Sequence, residues 1–144
     1  MIVRVELLHE HAKIPVYAHT YDAGADLYAC EDVTIAPRET MRVRTGIAIE
    51  LLPGYEAQVR PRSSLSAQGV IVALGTIDAG YRGEVMVTVS NHKGWPHMSH
   101  EIKRGDRIAQ IVVAPVTRVD WRQASGALLA LDDRGAGGHG STGR

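Results

Sequence analysis

Polar and apolar side chains alternate along several short stretches of this chain, and this alternation most restricts the folds open to it. Residues 41–44 and 85–90 alternate, and residues 107–116 are rich in isoleucine and valine. A period of two is typical of β-strands, whereas an amphipathic helix repeats every 3.6 residues. Glycine or proline separates such stretches roughly every ten residues, as turns do in sandwiches and barrels. The pattern predicts an all-β sandwich or barrel, with helix limited to a turn or two in residues 63–68 and an ambiguous stretch at 124–130.

Length and charge narrow the class of protein further. The 144 residues suit one domain, and a hydrophobic content of 44% excludes a disordered chain. Sixteen basic residues balance sixteen acidic ones, so we expect no general binding to nucleic acid or to an anionic membrane. The longest apolar runs are too short to span a bilayer, and the charged first fifteen residues leave no signal-peptide core. With Cys30 as the only cysteine, these features predict a cytoplasmic protein.

The chain ends in a glycine-rich segment. Five of its 15 glycines lie within the last ten residues. Such a segment has little apolar surface to bury and loses much entropy on ordering. We therefore expect a domain over residues 1–131, followed by a mobile arm over residues 132–144. Residues 135–142 resemble a Walker A spacing with Ser141 in place of the lysine, but a P-loop needs a following helix, so we reject that interpretation.

Two segments contain groups suited to anions and sugars. Arg62, Ser63 and Ser64 precede a short apolar run, and a helix N-terminus beside arginine and serine is suited to an anion. An ordinary helix cap with solvated arginines is the alternative. Asp78 and Tyr81 lie in a glycine-rich segment, residues 75–83, that predicts a tight hairpin-like bend. Asp78 is a candidate base or metal-shell carboxylate and Tyr81 a candidate stacking residue, unless the segment is only a β-turn.

Two further segments place polar groups on apolar strands. Asp26 interrupts the apolar run 23–29, and a buried carboxylate needs partners. Gly105 and Asp106 predict a turn into a mainly buried strand on which Gln110 is an amide.

In this order, the five segments resemble the five motifs of the trimeric dUTPase family. The matching residues are 23–29, 61–65, 75–83, 105–110 and 134–143, which together extend over nearly the whole chain. The resemblance implies a jelly-roll-like or β-clip barrel with very little helix, assembled as a homotrimer with three shared active sites. It also implies Mg²⁺-dependent hydrolysis of dUTP to dUMP and pyrophosphate, which limits uracil in DNA and supplies dUMP for thymidylate synthesis.

The resemblance assigns the nucleoside end of the site to the third motif. Asp78 matches the catalytic aspartate that orients and deprotonates the water attacking the α-phosphorus. Tyr81 matches the aromatic residue that packs on the deoxyribose and excludes a 2′-hydroxyl. Main-chain groups near Gly75 and Met86 are expected to bind the uracil edge.

The phosphate end is assigned in the same way. Arg62, Ser63 and, as a further donor, Ser64 match the motif that binds the phosphate chain. Gln110 matches an amide on the α-phosphate side. Asp26 matches the aspartate that meets Mg²⁺ through water, so we expect no all-protein metal cage.

The arm would close over the γ-phosphate and reach a neighbouring subunit. Arg134, Gly140, Ser141 and Thr142 match its binding residues. His139 departs from the family, which usually has Phe there to stack on uracil. Imidazole is smaller and titrates near neutrality, so we expect weaker stacking and pH-dependent arm closure, which a KM independent of pH would contradict.

Three alternatives remain at this point. The dCTP deaminase family shares the fold and a similar Arg-Ser-Ser-Leu segment, but its deaminating glutamate falls on Thr88 here. A nucleotide-binding regulator without catalysis conflicts with the presence of Asp78, Tyr81 and the arm. His92, His97 and His100 could bind a metal, although a solvated loop around Trp95 is the simpler interpretation.

Overall fold

The computed structural model describes residues 1–93 and 99–126. Within these residues the chain forms eleven β-strands and one short helix. The elements are β1 Arg4–Leu7, β2 Ala25–Tyr28, β3 Val33–Ile35, β4 Thr40–Arg44, β5 Ile47–Glu50, β6 Tyr55–Arg60, α1 Ser63–Ser66, β7 Val70–Val72, β8 Gly75–Asp78, β9 Met86–Asn91, β10 His100–Ile102 and β11 Arg107–Pro115. The prediction of an all-β fold with very little helix is confirmed.

The strands form four antiparallel sheets. The largest has the order β2-β11-β6-β8, and a three-stranded sheet has the order β4-β9-β7. Two smaller sheets pair β1 with β5 and β10 with β3. In no sheet do β8 and β9 pair with each other, although they are consecutive in the chain.

The core is built from the inward faces of these strands. On β9 the side chains of Val87, Val89 and Asn91 are buried, and those of Met86, Thr88 and Ser90 are only half-buried. The same alternation buries a continuous apolar cluster contributed by most strands of the sheets. Cys30 lies in this interior as a free thiol, and burial raises the pKa of that thiol.

The structure corrects one expectation about residues 75–83. The predicted tight bend exists, because the N–H of Tyr81 donates to the carbonyl of Asp78 at 3.0 Å. However, the bend does not close a hairpin: β8 pairs with β6, whereas β9 pairs with β4 and β7. The chain therefore passes from one sheet to another between Asp78 and Met86.

A second correction concerns the histidines. His100 is not in a solvated loop but is the first residue of β10, opposite Ile35. His97 lies outside the described residues, as do the proposed boundary at residue 131 and the whole arm, including Arg134, His139, Gly140, Ser141 and Thr142. Residues 116–126 follow the last strand and are exposed in this single copy. None of the helices in the described part of the chain is long and apolar enough to cross a membrane.

Candidate functional site

Asp26 lies between two arginines from different elements. Its Oδ1 is 3.3 Å from Nε of Arg62, at the start of α1, and its Oδ2 is 3.4 Å from Nη1 of Arg107, the first residue of β11. Only 13% of the Asp26 side chain is exposed. The Arg62 guanidinium is fixed further because its Nη1 donates to the carbonyl of Arg107 at 3.0 Å. The expected partners of this carboxylate are therefore present.

Gln110 completes the group of side chains that we call the Asp26 cluster: Asp26, Arg62, Arg107 and Gln110. It lies opposite Asp26 on β2 and opposite Arg60 on β6. Its Nε2 donates to the carbonyl of Pro61 at 2.9 Å. The Gln110 amide therefore connects the second motif to the fourth.

Helix α1 begins at Ser63, as predicted. Its N-cap is Arg62, and no side chain caps it. Ser63 and Ser64 are exposed and directly follow Arg62 in the chain. Ser64, Arg62 and Arg107 line one cleft of about 280 Å³. These groups are donors that suit phosphate oxygens.

His100 borders the same cleft. Its Nδ1 is 3.3 Å from Nζ of Lys93. Burial lowers the pKa of His100, and the nearby Lys93 ammonium lowers it further, while Asp106 acts in the opposite direction.

Asp78 and Tyr81 lie together on the segment that passes between the two sheets. Asp78 ends β8 and is exposed at the edge of an open cleft of about 760 Å³. Tyr81 is 46% exposed, and its hydroxyl donates to the carbonyl of Glu84 at 3.1 Å. An exposed carboxylate and an aromatic face three residues apart can contact one bound molecule.

Gly75 and Met86 face a gap where two strands separate. The register of β7 against β9 pairs Val72 with Val89, and the N–H of Ala73 donates to the carbonyl of Thr88. If this register continued for two residues beyond Ala73 and Thr88, Gly75 would lie opposite Met86. Gly75 instead pairs with Val59 on β6. Because backbone groups of alternate residues point the same way along a strand, the N–H and C=O of Met86 point into this gap, as those of Thr88 point to β7.

The Asp26 cluster and Asp78 lie far apart in one copy of the chain. They occupy opposite edges of the four-stranded sheet, with β11 and β6 between them. The two groups are also offset by four residues along the strand direction. Asp26 is level with Arg60 of β6 through Gln110, whereas Asp78 lies opposite Glu56 of β6. Spacings of ~4.8 Å between strands and ~3.3 Å per residue place the Cα atoms of Asp26 and Asp78 roughly 20 Å apart. A single copy thus does not bring the two groups together.

Sequence reasoning missed Arg107 and Gly24 as neighbours of Asp26 and Gln110. Arg107 was only a basic residue before a strand, and nothing in its spacing pairs it with Asp26. A Cβ on Gly24 would lie 2.3 Å from Oε1 of Gln110, so this glycine makes room for that amide. Among the described residues no group of three or more histidine, cysteine or acidic side chains is arranged to hold a metal ion.

Comparison with known proteins identifies the family of this chain. The dUTPase family model matches residues 10–143. A deoxyuridine 5'-triphosphate nucleotidohydrolase of Solibacter usitatus is 46% identical, over 100% of this chain and 97% of its own. One of Gloeothece citriformis is 47% identical, over 99% of this chain and 97% of its own.

Solved structures give the same result. The Staphylococcus bacteriophage 80alpha dUTPase with dUpNHpp superposes with a TM-score of 0.92 at 27% identity, covering 99% of each chain. A variant of the dUTPase from phage phi11 of S. aureus, described with a structural Mg(II) ion, gives 0.83 at 26% identity, covering 88% of this chain and 98% of its own. The jelly-roll-like β fold implied by the resemblance is thus confirmed. The chain belongs to the dUTPase family and is a hydrolase of the dUTP diphosphatase class.

Proposed function

We propose that this chain hydrolyses dUTP to dUMP and pyrophosphate by Mg²⁺-assisted attack of water on the α-phosphorus. In a cell this reaction would limit uracil in DNA and supply dUMP for thymidylate synthesis, and we assign it to the cytoplasm. The supporting observation is that the donors and acceptors fall into two groups that suit the two ends of a nucleotide. The Asp26 cluster suits a phosphate chain, and the segment around Asp78 and Tyr81 suits a nucleoside.

At the nucleoside end, the gap beside Met86 has the character of a base site. Its backbone N–H and C=O can donate to and accept from the edge of uracil, and Gly75 lies at the opposite side of the gap. The Tyr81 ring would pack against the deoxyribose. Asp78 would accept the proton of the attacking water, because a general base must reach the proton that it removes.

At the phosphate end, Arg62 and the exposed hydroxyls of Ser63 and Ser64 would bind phosphate oxygens. Gln110 has a second amide N–H besides the one that it gives to Pro61. Catalysis of this kind depends mainly on positioning and on stabilisation of charge. Because the donors are local, an electrically neutral chain can still hold a triphosphate.

The Asp26 carboxylate fits a magnesium ion that is bound through water. Its distances to the arginines, 3.3 and 3.4 Å, are longer than the 2.7–2.9 Å or so of a close charged hydrogen bond. Lone pairs on both oxygens therefore remain for water ligands. Mg²⁺ keeps several waters and takes phosphate oxygens as ligands, and when bound it would neutralise charge on the phosphates. Asp26 would orient its water shell.

We also propose that the active site is shared between copies in a homotrimer. The separation of roughly 20 Å between Asp26 and Asp78 in one copy, derived from strand spacings, supports a site in which a second copy supplies Asp78. The glycine-rich arm, with Arg134, His139, Gly140, Ser141 and Thr142, is proposed to close over the nucleotide in such a site.

Pyrophosphate release tests the reaction. The purified full chain is incubated with dUTP, dCTP, dTTP or UTP, each with and without Mg²⁺. We expect release from dUTP with Mg²⁺, and a loss of about 10²- to 10⁴-fold in Asp78→Asn, the range typical of a general base. Asp120→Asn is the matched control, because Asp120 is exposed and pairs only loosely with Arg122.

Two results would contradict the proposal. Ammonia released from dCTP would assign the chain to the deaminase alternative, despite Thr88. Tight binding of dUTP without turnover would favour a nucleotide-binding regulator.

A further inference from the structure

The Tyr81 side chain folds back over Gly83. A Cβ on Gly83 would lie 2.4 Å from Oη, 2.6 Å from Cζ and 3.0 Å from Cε2 of Tyr81. Real Cβ atoms do not approach other atoms so closely, so the ring occupies the space of the missing side chain. Gly83 does not have the positive φ of Gly46, Gly54 or Gly105. Glycine is therefore needed here for space and not for backbone conformation.

The hydroxyl of the same ring is fixed to a rigid acceptor. It donates to the carbonyl of Glu84 at 3.1 Å. The Glu84 carboxylate accepts the N–H of Gly46 at 2.8 Å and Nε of Arg44 at 3.1 Å. The Glu84 side chain is 18% exposed. Glu84 thus attaches its own backbone, and the Tyr81 hydroxyl with it, to the corner between β4 and β5.

The residue after Glu84 strengthens this attachment. The N–H of Val85 donates to the carbonyl of Ile47 at 2.8 Å, and the hydroxyl of Thr45 donates to the carbonyl of Val85 at 2.5 Å. Both Thr45 and Val85 are 1% exposed. Before Gly83 in the chain, Nη1 of Arg82 donates to the carbonyls of Ala79 and Tyr81. The backbone that precedes Gly83 and the backbone that follows it are therefore both held.

We infer that Gly83 and Glu84 are positioning residues that fix the Tyr81 ring as an immobile wall and so set the preference for dUTP over UTP. Tyr81 would touch the sugar, whereas Gly83 and Glu84 would act through it. A hydrophobic surface that can yield rejects an added hydroxyl only weakly, by about 100-fold. A ring that lies against the backbone cannot move away from a 2′-hydroxyl. This inference rests on the proposed function.

Two variants test the inference, with one matched control. Gly83→Ala displaces the ring, and Tyr81→Phe retains the ring but removes its bond to Glu84. The control is Gly80→Ala in the same segment, where an added Cβ meets no atom within 4 Å. For the full chain and each variant, kcat/KM is measured for dUTP and UTP. Binding of dUpNHpp and of its ribose counterpart is measured by calorimetry, and folding by thermal unfolding.

We expect the ratio of kcat/KM for dUTP over UTP to fall about tenfold or more in Gly83→Ala, the scale of one misplaced group in a pocket. We expect a fall of about threefold in Tyr81→Phe and an unchanged ratio in Gly80→Ala. The ratio of the binding affinity for dUpNHpp to that for its ribose counterpart should change in parallel. An unchanged ratio in a folded Gly83→Ala would overturn the inference.

The inference can still be tested if one variant does not fold or if the proposed reaction is not observed. If Gly83→Ala does not fold, an unchanged ratio in Tyr81→Phe overturns the inference. If the unmodified chain does not hydrolyse dUTP, the proposed reaction is wrong, and the binding ratio alone decides whether Gly83 and Glu84 set sugar preference.

Discussion

At the scale of single residues, Gly24 illustrates how an absent side chain can place a functional one. An added Cβ would lie 2.3 Å from Oε1 and 3.1 Å from Cβ of Gln110. Because Oε1 ends a flexible side chain, the amide can move away with little cost to the fold. It would then lose its position beside the carbonyl of Pro61, 2.9 Å away.

We therefore expect Gly24→Ala to lower kcat/KM for dUTP about tenfold, comparable with the loss of one well-placed hydrogen bond, while the melting temperature changes little. Steady-state kinetics and thermal unfolding measure the two effects. Gly126→Ala is the control, since no atom lies within 4 Å of its added Cβ. If Gln110 carries the effect, Gly24→Ala should cause no further loss in a Gln110→Ala background; additive losses would contradict this.

Residue chemistry also limits what the sequence could predict at this scale. Because a carboxylate within an apolar strand requires a partner, the sequence could predict that Asp26 has partners. Which partners it has could not be predicted, because Arg62 and Arg107 are 36 and 81 residues away along the chain. Contacts of this range depend on strand register, which local patterns do not specify.

At the scale of elements, β10 places a titratable group in a partly buried position. His100 begins this strand, and burial together with Lys93 lowers its pKa below the ordinary value near 6.5, whereas Asp106 raises it. The unfolded chain therefore binds a proton at this histidine more readily than the folded chain does. The contribution of His100 to the free energy of unfolding is complete at pH values above its pKa in the unfolded chain. This contribution is lost as the pH falls through the pKa of His100 in the folded chain.

We expect the free energy of unfolding of the full chain to fall between about pH 7 and pH 5, and to fall less in His100→Gln. Urea titrations at several pH values measure this difference. His92→Gln is the control, since His92 is exposed. Equal pH dependence in the unmodified chain and His100→Gln would contradict the assignment.

The strands differ in how well the sequence predicted them. Strands β4, β9 and β11 were predicted, because alternation or a run rich in isoleucine and valine is a strong signal for a strand. Strands β3 and β10 have three residues each, too few for a period to be recognised. The transition between β8 and β9 was predicted only as a tight hairpin-like bend, because a glycine-rich turn carries no information on which sheet the next strand joins.

At the scale of the whole molecule, the separation of Asp26 from Asp78 has a direct test. If one copy supplies Arg62 and another supplies Asp78, subunits defective in one group can complement those defective in the other. We expect Arg62→Ala and Asp78→Asn each to be nearly inactive alone.

Refolded together in equal amounts, the two variants should regain about one quarter of full activity, because one pairing in about four combines both intact groups in a closed symmetric assembly. Pyrophosphate release from dUTP measures the recovery. Mixing either variant with itself is the control. No recovery in mixed assemblies, isolated through a different affinity tag on each variant, would mean that each site is built within one copy.

The gap beside Met86 has a consequence for mutational resistance to inhibitors. Every amino acid except proline carries the same backbone N–H and C=O, so a base that was bound by the strand itself would be bound by groups that only a substitution by proline removes. Other substitutions could change the surroundings of the gap but not its hydrogen-bonding pattern. An inhibitor that imitates the uracil edge would therefore leave the protein few single mutational routes to resistance.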